Sequence, residues 1–185
     1  MTAEFEDHSA KLLFTQPLKR MNIITSKLWT AICSYVLIVA VIWLTVFVVG
    51  GVFGDNGTFD YPILIEQNGE LAFIATADYI IYGLVSISVM MVGMISLYLL
   101  LGLFFKQTIA TLFVLVVIIV GGYGGASLIS WDFFAWLNPF QYVFPTEPIL
   151  HQNGTAWYQG LPVVLMLSLL FYGLAVKKIS KSRIA

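Results

Sequence analysis

Apolar positions in this chain run in long blocks instead of the short alternations of a soluble domain. Leu28 to Val49 holds no charged residue over 22 positions, enough helix to cross a hydrocarbon core about 30 Å thick. Ile80 to Phe105 is also uncharged and longer, so it must tilt or protrude. Thr108 to Ile129 follows after only Lys106 and Gln107. Gly160 to Val176 is the shortest run, with Trp157 as its earliest start. Pro162 falls in its first turn, where a missing N–H costs little. The pattern predicts an all-α polytopic membrane protein with four transmembrane helices, about 28–49, 80–105, 108–129 and 160–176, in a single domain over 1–185.

Two longer connections interrupt these blocks. Residues 50–60, GGVFGDNGTFD, are rich in turn formers, and the apolar stretch Leu71 to Ala77 predicts a short helix running on into the second span. In 130–150, aromatic residues crowd around Pro139, Pro145 and Pro148, which predicts one or two short interfacial or re-entrant helices broken at the prolines. Trp131, Trp136, Tyr142 and Trp157 suit a lipid–water boundary.

The one sizeable polar segment precedes the first span. From Glu4 it reads as a short amphipathic helix, with Glu4, Glu6 and Asp7 where the helix dipole favours negative charge. Phe5, Leu12, Leu13 and Phe14 form its apolar side; Glu4, Lys11 and Thr15 lie on the polar one. Pro17 ends the helix, because Gln16 before it is pushed out of the α region. Lys19, Arg20 and Lys27 then lead into the apolar run.

Composition agrees with the pattern. The 185 residues are 59% hydrophobic and only 10% charged, with a mean hydropathy of +0.91. With so few charges, the apolar residues must face lipid or each other. A basic n-region followed by a short apolar h-region is not present at the N-terminus, so no cleavable signal peptide is expected.

The net charge of −1 hides a segregation. Lys11, Lys19, Arg20 and Lys27 precede the first span, Lys106 lies between the second and third, and Lys177, Lys178, Lys181 and Arg183 follow the fourth. Four spans put all of these on one side, while 50–79 and 130–159 carry acidic residues and no Lys or Arg. The positive-inside rule therefore predicts cytoplasmic termini in a bacterial plasma membrane.

Candidate chemistry is sparse. No span holds an ionisable residue in its middle, which argues against an ion-coupled carrier or an intramembrane enzyme. Ser34, Tyr35, Thr45, Ser86, Ser88, Ser96 and Tyr98 are the polar side chains available inside the bilayer, and helix–helix hydrogen bonding explains most of them. Cys33 reads as a small residue in a helix interface, and His8 and His151 fall on opposite sides of the membrane without ligand partners, so no metal site is expected. Gly121-Gly122-Tyr123-Gly124-Gly125 lacks the Lys-Ser/Thr of a phosphate loop. Its Gly121…Gly125 spacing instead predicts a close helix contact. Asn56-Gly57 and Asn153-Gly154 read as turns.

The string EFEDHSAKLLFTQPLKR over Glu4–Arg20, with Lys27 just before the span, resembles the cytoplasmic segment of permease subunits of ABC exporters, in the branch that handles multidrug, bacteriocin and antimicrobial-peptide substrates. Glu4, Glu6, Lys11, Leu12, Thr15, Gln16, Pro17, Arg20 and Lys27 match that family's pattern; Asp7-His8-Ser9 and Lys19 depart from it. The resemblance implies that this segment is a coupling-type helix on a partner ATPase, contacted through Glu4, Phe5, Glu6, Lys11, Leu12, Leu13, Gln16, Pro17 and Arg20. It also implies small helices at the outer mouth before the last span. No cofactor is expected in this chain: ATP and Mg would belong to a cytoplasmic ABC ATPase subunit. A second permease copy or a related subunit, and membrane lipid, are the other implied partners; nucleic acid is not. Relatives of this type have six spans with the segment between the second and third, so this chain corresponds to one without the first two. The alternative is a non-transporting four-helix immunity or assembly factor.

Overall fold

The computed structural model describes residues 20–54, 58–67, 70–128, 135–150 and 156–181. The segment Glu4–Pro17 lies outside the described residues; Arg20 is the first residue of the first helix. That helix, α1, runs Arg20–Phe53. A hairpin of β1 (Pro62–Gln67) and β2 (Glu70–Ala75) follows, then α2 (Thr76–Phe105) and α3 (Thr108–Leu128). Two 3-10 turns (Ala135–Leu137 and Pro139–Tyr142) and the short α4 (Thr146–Ile149) precede the last helix, α5 (Trp157–Lys181). Four helices, α1, α2, α3 and α5, are long and apolar enough to cross a membrane, which makes the chain a multi-pass membrane protein.

Three of the helices, α1, α2 and α5, are longer than the apolar blocks alone predict. At 1.5 Å per residue, the 34 residues of α1 extend about 50 Å, well beyond the hydrocarbon core. Its first two turns carry Arg20 and Lys27, so the helix continues unbroken through the basic cluster. α5 begins at Trp157, where Gln159 at the third helical position accepts the Ala156 N–H through Oε1 at 3.1 Å, half of a capping box. Pro162 thus lies beyond the first turn and removes a bond to the Tyr158 carbonyl, a larger local cost than a first-turn position carries. Between α2 and α3, Lys106 turns the chain with a left-handed φ of 55°, and its N–H bonds the Gly102 carbonyl at 3.1 Å.

The expectation of a helix over Leu71–Ala77 is overturned. Leu71 to Ala75 lies in β2, paired antiparallel with β1 in the register Gln67↔Glu70 to Pro62↔Ala75. Alternation explains it: Ile65 is buried, and Ile63, Ala72 and Ile74 share its face, whereas Leu64, Leu71 and Phe73 point outward. The register leaves a two-residue connection, Asn68-Gly69, the dipeptide most strongly tied to tight hairpins. The hairpin is fastened to the start of α2, where the Thr76 N–H and hydroxyl both donate to the Tyr61 carbonyl (3.0 and 2.8 Å) and the Ala77 N–H donates to Phe59 (3.0 Å). The fold is therefore mostly helical with a small antiparallel hairpin, not all-α.

α2 and α5 form the central pair, and α3 and α1 pack around them. Small residues set their approach. Gly93 in α2 faces α5 so closely that a Cβ there would sit 3.0 Å from Val164 Cγ1. Ser96 and Ser168 are buried in the same pair of helices, with hydroxyls returned to Val92 and Leu165 carbonyls at 2.9 and 2.8 Å. Such back-bonding satisfies a hydroxyl where no water reaches. Thr45 and Ser88 also return their hydroxyls to their own helix, at the Val41 and Leu84 carbonyls, and Ser88 in addition accepts from Tyr35 across helices.

Candidate functional site

The chain is joined at its two ends in different ways. At the end that carries the basic residues, Ile24, Leu103, Ala175 and Ile179 form a buried cluster, with Leu100, Tyr172 and Val176 packed against it. Ile24 and Ala175 are 0% exposed. Thr25 donates its hydroxyl to the Met21 carbonyl at 2.9 Å, so the Tyr172 hydroxyl is the donor in the 2.7 Å bond between the two side chains. Next to this cluster, the Lys178 ammonium lies 2.7 Å from the centre of the Phe104 ring, a cation–π contact between α5 and α2. The first turns of α1 are thereby held to both central helices.

Further along, α1 is held by a 3.2 Å bond from Tyr35 to Ser88 on α2, whose own hydroxyl is committed to Leu84 at 2.6 Å. Beyond Tyr35, every residue to Phe53 except Val39 and Gly50 is exposed. Cys33, read from sequence as an interface residue, is exposed as well. α1 is a long lever gripped near its base.

At the opposite end, residues 135–150 make a cap over α2, α3 and α5, in keeping with the short proline-broken helices that the sequence predicts. Asn138 starts the turn at Pro139, its Oδ1 accepting the Phe140 N–H at 3.1 Å. Phe140 then packs on Gly122 of α3, and the buried Tyr142 ring packs on Gly160 of α5, so closely that neither glycine has room for a Cβ. Burial pushes the Tyr142 phenol up to about 12, and the protonated hydroxyl donates to the Trp136 carbonyl at 3.0 Å. Tyr123 donates to Glu147 at 2.7 Å and meets the Phe144 ring edge-on at 4.9 Å. Tyr82 of α2 stacks on Trp157 of α5 with ring centres 4.5 Å apart.

At Gly121 and Gly125, chosen by their spacing for a close helix contact, a Cβ would meet no other atom within 4 Å among the described residues. Gly122, one residue along and so on another side of the helix, takes that role against Phe140. Gly160 and Gly93 are the other tight glycines, and the four-residue steps Gly160, Val164, Ser168 were the signal available for the α5 seam. The proposed ATPase contacts Glu4, Phe5, Glu6, Lys11, Leu12, Leu13, Gln16 and Pro17 lie outside the described residues, as does the side chain of Arg20.

Two cavities flank α1. Under the cap, a cavity of about 360 Å³ lies between α1 and α2, with Tyr35, Trp43, Tyr79 and Ile149 in its wall. Toward the basic end, a wider one of about 680 Å³ lies among α1, α2 and α3. Among the described residues no group of three or more His, Cys, Asp or Glu is placed to hold a metal ion. What the arrangement offers is mechanical: a long helix joined at its base, a cap at the opposite end locked on two glycines, and apolar cavities between.

No curated protein and no solved structure gives a significant match to this sequence. A family described as Protein of unknown function (DUF2705) matches residues 1–185, so the chain belongs to that family.

Proposed function

We propose that this protein is the membrane-spanning permease subunit of an ATP-driven ABC export system, with both termini cytoplasmic and ATP hydrolysis on a partner subunit. The observation that carries the reading is the junction between the Glu4–Arg20 string and α1. The string resembles a coupling segment, and α1 starts at its last residue. Four residues further on, Ile24 is wedged against α2 and α5. A partner that displaces the segment therefore displaces the packed base of the bundle, and not a free helix end. The proline-broken cap before α5 also suits an exporter mouth that opens and closes.

In this mechanism Phe5, Leu12 and Leu13 fill a groove on the ATPase, Glu4 and Glu6 meet basic residues at its rim, and Pro17 sets the angle to α1. Nucleotide-driven motion of the ATPase tilts the base of α1, and the long upper part of the helix carries that motion toward the cap. Glu4→Lys/Glu6→Lys is expected to abolish recovery of the ATPase in pull-downs of the permease while membrane insertion stays normal. An interfacial helix resting on anionic lipid predicts the reverse, since the two lysines would tighten its membrane contact. Undiminished ATPase recovery with normal transport would remove the segment from the coupling role.

A further inference from the structure

The wider cavity has a polar end and an apolar body. α1 and α3 both pack on α2 and leave a groove between them, lined on α2 by Met91, Met94 and Ile95 away from the basic end. Lys27, Thr30 and Tyr98 bring an ammonium and two hydroxyls to the groove, and among the described residues no acidic one lines it. Lys27 and Thr30 belong to the second and third turns of α1, and Tyr98 to the last third of α2, so the polar groups gather toward the end of the bundle where Lys106, Lys177 and Lys178 lie. From Met91 to Leu99 the lining of α2 climbs about 12 Å, a depth suited to a hydrocarbon chain. The volume of about 680 Å³ is that of a small-molecule site, which typically encloses about 300–1,000 Å³.

A groove of this kind between two membrane-crossing helices opens sideways into the bilayer. Its occupant must then be an amphiphile with the head at Lys27 and the tail against the methionines, whose flexible side chains accommodate an irregular chain. We infer that this groove holds one anionic phospholipid from the leaflet on the basic side, with Lys27 as its head-group contact and Met91, Met94 and Ile95 as its acyl-chain wall. Charge selects the class of lipid: a lysine at the head-group level favours a phosphodiester with net charge over a zwitterion. This site is independent of the export reading and stands or falls without it.

The test uses the full chain in detergent, titrated with phosphatidylglycerol or phosphatidylcholine, with bound lipid read by native mass spectrometry. Wild-type protein is expected to retain one phosphatidylglycerol in preference to phosphatidylcholine. Lys27→Gln should cut that preference about fivefold, the worth of one lysine near a charged surface. Lys177→Gln removes an equal charge from the exposed basic end outside the groove and should leave the preference unchanged. Ala31→Phe, which fills the groove but keeps the charge, should lower retention of both lipids; Met94→Trp serves the same purpose if the first variant does not fold. Equal effects of Lys27→Gln and Lys177→Gln, or full retention in the filled variants, would overturn the site. Dodecyl phosphate retained where phosphatidylglycerol is not would overturn the bilayer as its source.

Discussion

Gly160→Leu is expected to cost the detergent-solubilised protein more thermal stability than leucine at Gly121 or Gly125. A Cβ at Gly160 runs into the Tyr142 ring beside its root at Cγ, and Tyr142 is only 5% exposed, so the ring cannot swing aside into solvent. Overpacking costs about 1–3 kcal/mol, and a chain of this size loses about 2–4 °C per kcal/mol, so the melting temperature should fall on the order of 5 °C or more. Gly122→Leu should act in the same direction through Phe140. Gly121→Leu and Gly125→Leu are the controls, since both positions face open space in this chain. A thermal scan of the four variants decides the matter. If Gly121 and Gly125 prove the sensitive pair, the α3 contact runs to another molecule, as the small-residue spacing first suggested.

The second large effect belongs to the base of α1. Ile24 is 0% and Ile179 2% exposed, so Ile24→Ala and Ile179→Ala each leave a void where three helices meet. Truncations of this kind cost about 2–5 kcal/mol in well-packed sites. The pair should be less than additive, because the two side chains share one cluster. The proposed coupling adds a readout that stability alone does not move. Ile24→Ala should still recover the ATPase, since the Glu4–Pro17 contact is intact, yet transport per ATP hydrolysed should drop severalfold. Tyr172→Phe, which removes the donor to Thr25 with little change of shape, should show a weaker form of the same split. Loss of ATPase recovery in Ile24→Ala would move the partner's contact from the N-terminal string onto the bundle base.

How far these sites were legible differs by element. Uninterrupted apolar blocks announced the four long helices, because a block free of charge has few ways to be placed other than across a bilayer. Their ends were less legible. Arg20 to Lys27 looks like a connector by polarity, yet Ile23 and Ile24 bury an apolar face there and carry the helix through the basic cluster. The β-hairpin was readable from Asn68-Gly69 between two apolar stretches, but a run such as ELAFIA fits a helix or a strand until its partner is known. The glycine cluster drew attention by density, whereas the tight contacts fall at single glycines whose partners, Phe140, Tyr142 and Val164, are distant in sequence or on another helix. No local pattern carries that information. The groove at Lys27 is of the same kind, since it exists only once α1 and α3 are seen to flank α2.

Contact between the N-terminal string and an ATPase can be read by photo-crosslinking. A photoreactive amino acid is placed at Leu12 or Leu13 of the full chain in its native membrane, irradiated, and the captured species identified by mass spectrometry. The expected product at both positions is a cytoplasmic ATPase with nucleotide-binding motifs, and it should be lost when Glu4→Lys/Glu6→Lys is introduced into the same chain. Capture of lipid alone at both positions, with the double substitution leaving the yield unchanged, would contradict that contact.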